Sequence, residues 1–599
     1  MLSFRDRVGA VLVRMARVGS GRATLVRRVR EMAAILRADG VGGVIRRYRS
    51  HRAWRTRRGV QPPTPEDRRY QLWLERHQPS AERIAEMRRH NQRWAVRPLI
   101  SIVVPVFNPD HAWLDAMVSS VRTQAYDNWE LCLADDCSPA PHVRPALSGW
   151  AAADRRIKVA FREQNGNIAA ASNTALAMAT GDFVALLDHD DVLRPHALHA
   201  VVETLQADAD TDLVYSDEDK ILVGGQRGQV HFKGEFDPDY LLSTNYISHL
   251  SVLRRDAVAA VGGFRAGLDG SQDHDLVLRV SERATRVRHV PDVLYSWRQV
   301  PGSAALDHAE KPAAWEAGRR AVDDALARRH PGAHAELGPL PGLYQARYPI
   351  RPGVRVTAIL SAVDATTTAS TLRALRQGHA SLPVRWVVAG HDPGLDGLAR
   401  VATVEVVVGD EPQPRLLNEL VAADESDVVV FLAGDVAPAR ADMAWLEPLV
   451  EQALRSTIGA AGGRIMAADG SAVCDAVRMD AEHGVASVGV RLPVIQRVSA
   501  VSIECMAVER TGLMAAGGFD ESYCLRLHDV DLCLRLRSAG LAIVHTPLTE
   551  MRRLRSQRGL DQATDDVDRF RTRWEGSPVW ADPYVSPWLE TVTPLVIRA

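Results

Sequence analysis

One sequence pattern occurs twice in this chain, and it sets the domain organisation. The pair Asp273 and Asp275 follows a Gly-Gly-Phe run, and 256 residues later Asp529 and Asp531 follow another Gly-Gly-Phe run. A single repeat of this length indicates two copies of a domain rather than a solenoid. A chain of 599 residues has room for both copies and for an additional region.

Each copy alternates short apolar segments with amphipathic ones, which predicts strands alternating with helices. The first copy runs from Pro98 to about Pro301 and the second from about Val354 to Pro547. Such alternation is typical of an α/β fold with a largely parallel sheet and right-handed crossovers, whose ligands bind beyond the carboxyl ends of the strands. The expected strands of the first copy are 102–107, 129–134, 157–161 and 183–187.

Acidic clusters follow two strands of the first copy. Asp188, Asp190 and Asp191 come directly after the fourth strand, and Asp135-Asp136 follow the second. Three carboxylates so close together repel one another, and a divalent cation such as Mg²⁺ or Mn²⁺ relieves that repulsion. Capping of a following helix is the alternative interpretation. A carboxylate at the position of Asp135 is placed to accept hydrogen bonds from a ribose or a base, with an ordinary turn as the alternative.

The segment Asn165-Gly166-Asn167 precedes an Ala-rich helix expected at 168–178. Backbone amides at a helix N-terminus favour an anion, although a plain turn would also explain these residues. Neither a GxGxxG run after the first strand nor a Walker P-loop occurs, so a dinucleotide-binding or ATPase function lacks its usual motif.

Charge is distributed unevenly along the chain. Residues 1–60 contain sixteen arginines, no lysine and three acids, a balance of +13, whereas the whole chain has a net charge of −1. With Tyr48 and Trp54 among the arginines, this region is predicted to be helical and to lie on an anionic membrane surface. Docking on the acidic remainder of the chain is the alternative, and nucleic acid is not expected as a partner because no nucleic-acid module accompanies the region.

The expected location is cytoplasmic, either free or peripheral on the cytoplasmic face of the inner membrane. Six cysteines are too few for a disulfide scaffold, which favours a reducing compartment. The sequence has neither an apolar run long enough to span a bilayer nor the apolar core of a signal peptide.

The first copy resembles a family-2 glycosyltransferase with the GT-A nucleotide-diphospho-sugar fold. The Asp188-His189-Asp190-Asp191 segment resembles the family's DxD motif, and Tyr215-Ser216-Asp217-Glu218-Asp219-Lys220 resembles a subgroup that builds O-antigen and related bacterial surface polysaccharides. The resemblance is strong over 98–305 and weak over 354–590. Its other segments are 101–108, 135–138, 165–173, 245–246, 270–275 and 295–298.

The resemblance implies a role for each matching residue in a metal-dependent, inverting transfer. Asp188 and Asp190 would bracket a Mg²⁺ or Mn²⁺ ion and the diphosphate, and Asp273 would be the general base. Gln272 stands where the family has Glu, and Ser296 stands where the subgroup often has His, which leaves the third metal ligand open. The residues expected to bind the nucleotide-diphospho-sugar are Asp135, Asp136, Asn165, Arg298 and Ser303.

The second copy lacks several of these residues. Its DxD equivalent reads Ala433-Gly434-Asp435, and Ala389-Gly390-His391-Asp392 replaces the nucleotide-binding acidic pair. Asn418, Asp529, Asp531 and the segment 556–559 remain. We therefore expect an Arg-rich helical region at 1–97, a catalytic GT-A domain at 98–345 and a degenerate GT-A-like domain with a C-terminal tail at 354–599.

Three other functions fit parts of the sequence. In a bifunctional transferase both domains would be active, and in a glycan-binding scaffold neither would be. A nucleotidyltransferase acting on sugar phosphates shares a similar sheet but usually carries a Gly-rich loop with Arg and Lys after the first strand, and Phe107-Asn108-Pro109-Asp110 contains no such loop. The expected acceptor is a growing or lipid-linked bacterial glycan.

Overall fold

In a computed structural model of the chain, residues 64–222 and 227–599 form one compact unit, which contains every helix and strand reported below. The structure describes residues 64–299, 312–377, 382–399, 404–409, 413–440, 444–467, 472–474, 476–480, 484–488, 493–524, 527–555, 564–590 and 596–597. The predicted membrane-binding region, residues 1–60, and segment 556–559 therefore lie outside the described residues, whereas 64–97 of the predicted helical region lie within them.

Helices and strands alternate along both copies, as predicted. The helices are α1 Pro65–His77, α2 Ala81–Asn91, α3 His111–Arg122, α4 Val143–Ala153, α5 Asn167–Ala177, α6 Ala197–Ala207, α7 Pro238–Ser243, α8 Arg255–Ala260, α9 Gln272–Ser281, α10 Pro312–Arg329, α11 Ala365–Gln377, α12 Asp396–Ala399, α13 Gln413–Ala423, α14 Glu447–Ala453, α15 Arg510–Ala515, α16 His528–Ser538 and α17 Thr564–Trp574. A single 3₁₀ turn, Pro393–Leu395, precedes α12.

The strands of the first copy and its C-terminal hairpin are β1 Ile100–Val106, β2 Trp129–Asp135, β3 Ile157–Phe161, β4 Phe183–Leu186, β5 Val192–Leu193, β6 Thr211–Ile221, β7 Arg227–His231, β8 Ser251–Arg254, β9 Arg286–Arg298, β10 His334–Leu337 and β11 Tyr344–Arg347. Those that follow are β12 Val356–Ser361, β13 Val384–Gly390, β14 Glu405–Val408, β15 Val428–Ala433, β16 Val436–Pro438, β17 Ile458–Met466, β18 Ala472–Cys474, β19 Ala476–Asp480, β20 Gly484–Val488, β21 Gln496–Val498, β22 Cys505–Glu509, β23 Ala542–Arg553, β24 Leu589–Glu590 and β25 Val596–Ile597.

The two copies form sheets with the same strand order. The first sheet runs β3-β2-β1-β4-β8-β6-β9-β5, and the second runs β14-β13-β12-β15-β22-β17-β23-β16. In both sheets the central strand pairs in parallel with its two neighbours, and the next strand is antiparallel. The expectation of two tandem GT-A-like α/β sheets is confirmed.

Apolar side chains on both faces hold each sheet between helices. In the first sheet Ile100, Ile102 and Val104 contribute to one core, and Val103 points to another. This alternation is the period-two pattern of a strand buried on both faces. Burial of one such side chain stabilises the fold by about 1.5–3 kcal/mol. In the part of the chain that the structure describes, no helix combines the length and the apolar character that a membrane span requires.

Candidate active site

The site is built at the carboxyl end of β4, where the chain turns through five residues before β5. Asp191 is fully buried there and accepts hydrogen bonds of 2.6 Å from the Tyr295 hydroxyl and from the Arg298 amide. Burial raises the pKa of Asp191 well above its usual range, and the charges of Asp190 and Asp188 raise it further. A bound cation would offset this accumulation of negative charge.

A group of three side chains offers ligand atoms for such a cation. The ligand atoms of Asp188, Asp191 and His249 all lie within 4.8 Å of one another, and His249 Nε2 is 3.9 Å from Asp188 Oδ2. Two carboxylates and one imidazole suit Mn²⁺, and carboxylates suit Mg²⁺. The predicted metal ligand Asp188 is in this group, whereas the group contains Asp191 and not the predicted Asp190. The role of Asp190 remains a prediction.

His249 is oriented by a carboxylate on the neighbouring strand β6. Its Nδ1 lies 3.1 Å from Glu218 Oε2, and its ring stacks on Tyr295 with centroids 4.5 Å apart. Burial alone would lower the pKa of His249, but the hydrogen bond and charge of Glu218, helped by Asp188 and Asp191, raise it to about 9. A carboxylate that fixes one ring nitrogen while the other faces a cation is a recurring arrangement at metal sites.

The predicted base Asp273 lies on the same side of the sheet, at the start of α9. Its Oδ2 accepts a 2.8 Å hydrogen bond from Asn245 Nδ2, and the side chain is half-buried. Burial is the main cause that raises the pKa of Asp188, and the charge of Asp273 contributes to that rise. Asp273 is therefore close enough to interact electrostatically with the acidic turn after β4.

The predicted nucleotide-binding residues lie beyond β2. Asp135 is buried and receives only long hydrogen bonds, 3.3 and 3.4 Å, from the Ser138 amide. Asp136 accepts a 2.8 Å hydrogen bond from Arg162 Nε and a 2.9 Å one from the Gly166 amide. Asp136 thus holds the loop before α5 in place. The Asp135 carboxylate accepts fewer short hydrogen bonds from the protein and can accept more from a ligand.

Asn165 and Arg298 are also placed near this edge. Asn165 Nδ2 donates to the Asp136 carbonyl over 3.2 Å, which ties the loop to the end of β2. Arg298 Nε donates to the Asp190 carbonyl over 2.7 Å, and its guanidinium carbon is 6.0 Å from the centroid of the Trp113 ring. Arg298 therefore lies beside the acidic turn, and its contact with a diphosphate stays a prediction. Ser303 lies outside the described residues.

Comparison with known proteins decides the family of the first copy. Residues 101–262 match the model of glycosyl transferase family 2. The chain contains a family-2 glycosyltransferase domain. Its matched part includes β1–β8 and the residues Asp188, Asp191, Glu218, Asn245 and His249, whereas Asp273 and Arg298 lie beyond it.

Two relatives match most of the chain, beyond the glycosyltransferase domain itself. An uncharacterized protein of Sinorhizobium fredii is 38% identical over 86% of this chain and 60% of its own length. The O-antigen biosynthesis protein RfbC of Myxococcus xanthus is 32% identical over 88% of this chain and 43% of its own length. A 94-residue part of the chain is 42% identical to the Escherichia coli UDP-Glc:alpha-D-GlcNAc-diphosphoundecaprenol beta-1,3-glucosyltransferase WfgD, 16% of this chain and 36% of that protein. The chain thus spans about half the length of the first two relatives.

The strand registers identify which residues of the second sheet correspond to the site of the glycosyltransferase domain. The Arg194 amide donates to the Leu294 carbonyl, and the Ala439 amide donates in the same way to the Glu550 carbonyl. Leu193 likewise pairs with Tyr295 and Pro438 with Met551, so Asp435 has the place of Asp190 and Arg553 that of Trp297. The registers therefore give the same alignment of Asp435 with Asp190 that the sequence suggests. Counting back from β8 and β22 gives Glu504 in the second copy the place that His249 has in the first.

The corresponding residues of the second sheet, here called the second site, include the positively charged guanidinium of an arginine. Arg553 is buried, donates a hydrogen bond to Glu504, and has Nη1 3.8 Å from Asp435 Oδ2. In the glycosyltransferase domain the corresponding place is taken by Trp297, whose ring centroid lies 5.4 Å from that of His249. Asp529, the counterpart of Asp273, accepts its hydrogen bonds from the Ile503 and Val530 amides rather than from an asparagine side chain.

Several residues of this site were not singled out from the sequence. Asp191 was named only as part of the acidic cluster, and Glu218 and Asn245 only as parts of motifs. His249 was not named at all, because the signal for it is the strand pairing that brings the residue before β8 beside the end of β4. The sequence alone contains no sign of that pairing.

Proposed function

We propose that the glycosyltransferase domain transfers a sugar from a nucleotide-diphospho-sugar to a hydroxyl group of a growing bacterial surface glycan, with a divalent cation and with inversion at the anomeric carbon. The observation that supports this proposal is the group Asp188, Asp191 and His249, whose ligand atoms lie within 4.8 Å of one another and whose Asp188 feels the charge of Asp273. One carboxylate then faces the acceptor, while the others face the leaving diphosphate.

Asp188, Asp191 and His249 would hold the cation, which supplies positive charge against the negative charge that develops on the departing diphosphate. Their donor set fits a divalent ion, and Glu218 fixes the imidazole so that Nε2 points to Asp188. Asp190 is a further candidate ligand. Asp135 and the loop held by Asp136 and Asn165 would receive the nucleoside, and Arg298 and Ser303 would receive diphosphate oxygens.

Asp273 accepts the proton of the acceptor hydroxyl as that oxygen attacks the anomeric carbon. The new carbon–oxygen bond forms while the bond to the diphosphate breaks, and the electron pair leaves with the nucleoside diphosphate. Asn245 donates to one carboxylate oxygen of Asp273, which keeps the other oxygen available for the proton. A single displacement of this kind inverts the configuration.

The acceptor class and the location belong to the same proposal. The relatives named above are described as an O-antigen biosynthesis protein and as a glucosyltransferase acting on a diphosphoundecaprenol substrate. A lipid-linked glycan at the cytoplasmic face of the inner membrane is the acceptor we propose, and the arginines of residues 1–60 would hold the protein to the anionic surface. The Arg553 guanidinium in the second site does not favour a second, metal-dependent transferase.

The experiment is a transfer assay with full-length protein, Mn²⁺ and a panel of nucleotide-diphospho-sugars, with the anomeric configuration of the product read by NMR. Asp273→Asn should lower kcat by about a thousandfold, because general-base catalysis contributes about 10²–10⁴. Asp529→Asn changes the corresponding residue of the second copy and should leave kcat unchanged. A retained configuration, or full activity of Asp273→Asn, would contradict the proposed mechanism.

A further inference from the structure

The segment from Lys233 to His249 connects the proposed active site with the second copy. Asn245, near its end, donates to Asp273, and His249 at its end belongs to the proposed cation group. Lys233, at its start, is buried and donates from Nζ to the carbonyls of Ser216, Ile247 and His249 over 2.6–2.7 Å. The segment therefore sets the position of two groups that the proposed reaction uses.

Two buried aspartates on this segment pair with arginines of the second copy. Asp239 accepts from Arg455 Nη2 over 2.6 Å and from Arg497 Nε over 2.8 Å. Asp237 accepts from the Arg497 amide over 2.7 Å with the carboxylate that also caps α7. Burial would raise the pKa of Asp239, but Arg455 and Arg497 lower it to about 2, so the pair is ionised near neutral pH.

Further contacts bind the same stretch to the rest of the second copy. Ser243 Oγ donates to the Ile495 carbonyl over 3.0 Å, and the Glu235 amide donates to the Pro583 carbonyl over 2.6 Å. Gly234 lies against Tyr584 so closely that a Cβ at this glycine would be 2.5 Å from the Tyr584 backbone. The stretch is thus fixed by charge, by hydrogen bonds and by close backbone packing.

A continuous chain of contacts leads from Arg497 to the proposed base. The Asp237 amide donates to the Tyr246 hydroxyl over 2.9 Å, and Tyr246 stacks on Tyr240 with centroids 4.5 Å apart. Tyr246 is the neighbour of Asn245, whose amide nitrogen holds Asp273. Each step is a direct contact or a peptide bond, so a displacement of Arg497 would also displace Asp273.

We propose that Arg497 and Arg455 are positioning residues for the first site, and that the second copy serves it as a rigid support rather than as a second centre of transfer. This inference rests on the proposed function. Buried ion pairs are disrupted when one partner is removed, because the remaining charge is left without compensation. Small misplacements of reacting groups are costly in rate, about a hundredfold for 1 Å.

The test compares Arg497→Met with Arg535→Met in the full chain. Arg535 pairs with the buried Asp531 inside the second copy, so this variant loses a comparable ion pair away from the segment. Arg497→Met should lower kcat about tenfold or more at a little-changed KM for the donor, whereas Arg535→Met should keep kcat per folded molecule. Both are assayed well below their own Tm.

Two further measurements separate positioning from a general loss of stability. In an Asn245→Ala background, Arg497→Met should lower kcat no further, because the contact that transmits its effect is already absent. Hydrogen exchange of residues 240–250 should rise in Arg497→Met and not in Arg535→Met, and this readout needs no transferase activity. Wild-type kcat in Arg497→Met, an equal loss in Arg535→Met, additive losses with Asn245→Ala, or unchanged exchange at 240–250 would each overturn the inference.

The proposed function fails by a different result. If Asp273→Asn retains full activity, the assignment of the base is wrong whatever Arg497→Met does. If Asp273→Asn is inactive and Arg497→Met is normal, only the supporting role of the second copy is wrong.

Discussion

The two sheets share a strand order, but they differ in what remains at their carboxyl edges. In both, an aspartate of the repeated motif pairs with an arginine four residues later, Asp275 with Arg279 and Asp531 with Arg535. Each arginine also donates to two carbonyls of the Gly-Gly-Phe turn region, Val261 and Gly263 in one copy and Ala516 and Gly518 in the other. The repeated motif therefore mainly stabilises the turn and the helix that follows it in each copy.

The residues proposed for chemistry have diverged instead. Asp188 corresponds to Ala433, His249 to Glu504 and Trp297 to Arg553, so an ion pair replaces the proposed cation group. This contrast shows that a motif shared by two copies of a fold is first of all evidence of a role in stabilising that fold. Function is better sought where the copies differ.

The largest effect that tests this contrast is expected from His249→Ala. Loss of one ligand of the proposed cation group should weaken Mn²⁺ binding by about a hundredfold. Substitution of a residue that only hydrogen-bonds to a metal ligand already lowers metal affinity by about 10–100-fold. Glu504→Ala alters the corresponding residue of the second site and should leave Mn²⁺ affinity unchanged. Isothermal titration of both variants with Mn²⁺ measures this, and equal losses would remove the distinction between the sites.

Arg553→Ala tests the second site directly. It leaves the buried Asp435 and the partly exposed Glu504 without their guanidinium, which should cost about 2 kcal/mol in the free energy of unfolding, less than a fully buried pair because solvent screens Glu504. Arg552→Ala changes an exposed arginine on the same strand and should cost less. Urea denaturation measures both, and an unchanged stability of Arg553→Ala would show that the ion pair does not hold this site together.

Glu218→Gln tests whether orientation of His249 matters. The amide keeps the size of the side chain but removes the charge that fixes Nδ1, so Mn²⁺ affinity should fall by about tenfold. The variant is measured with the same titration as His249→Ala and should bind more tightly than that variant. Affinity at the wild-type value would mean that Glu218 supports the loop only.

The smallest effects should be equal in the two copies. Asn173 and Asn418 each exchange two hydrogen bonds with the backbone of a phenylalanine, Phe264 and Phe519 respectively. Substitution of either by alanine should cost about 1 kcal/mol for each of the two lost hydrogen bonds, with similar changes in Tm. A marked difference between the two would show that the copies have diverged in their scaffold as well.

Much of the fold was predictable because its signals are local. Apolar runs bounded by polar residues located β1–β4 to within two residues at each end, and the duplicated motif predicted the second sheet. The acidic turn after β4 was located because carboxylates follow an apolar strand there.

The details of the site were not predictable in the same way. Which of three adjacent aspartates turns inward depends on Tyr295 and on the Arg298 amide, more than a hundred residues away along the chain. His249 reaches Asp188 only because β8 runs antiparallel to β4, and Arg553 reaches Asp435 through a similar long-range pairing. Sequence spacing does not report such contacts.

The number of Mn²⁺ ions bound by the full chain tests the central claim most directly, because the claim is that one of the two sheets has a site for a cation. Titration followed by electron paramagnetic resonance should give one bound Mn²⁺ per chain, lost in Asp191→Asn and kept in Asp435→Asn. Two bound ions per chain, with the second lost in Asp435→Asn, would contradict the account.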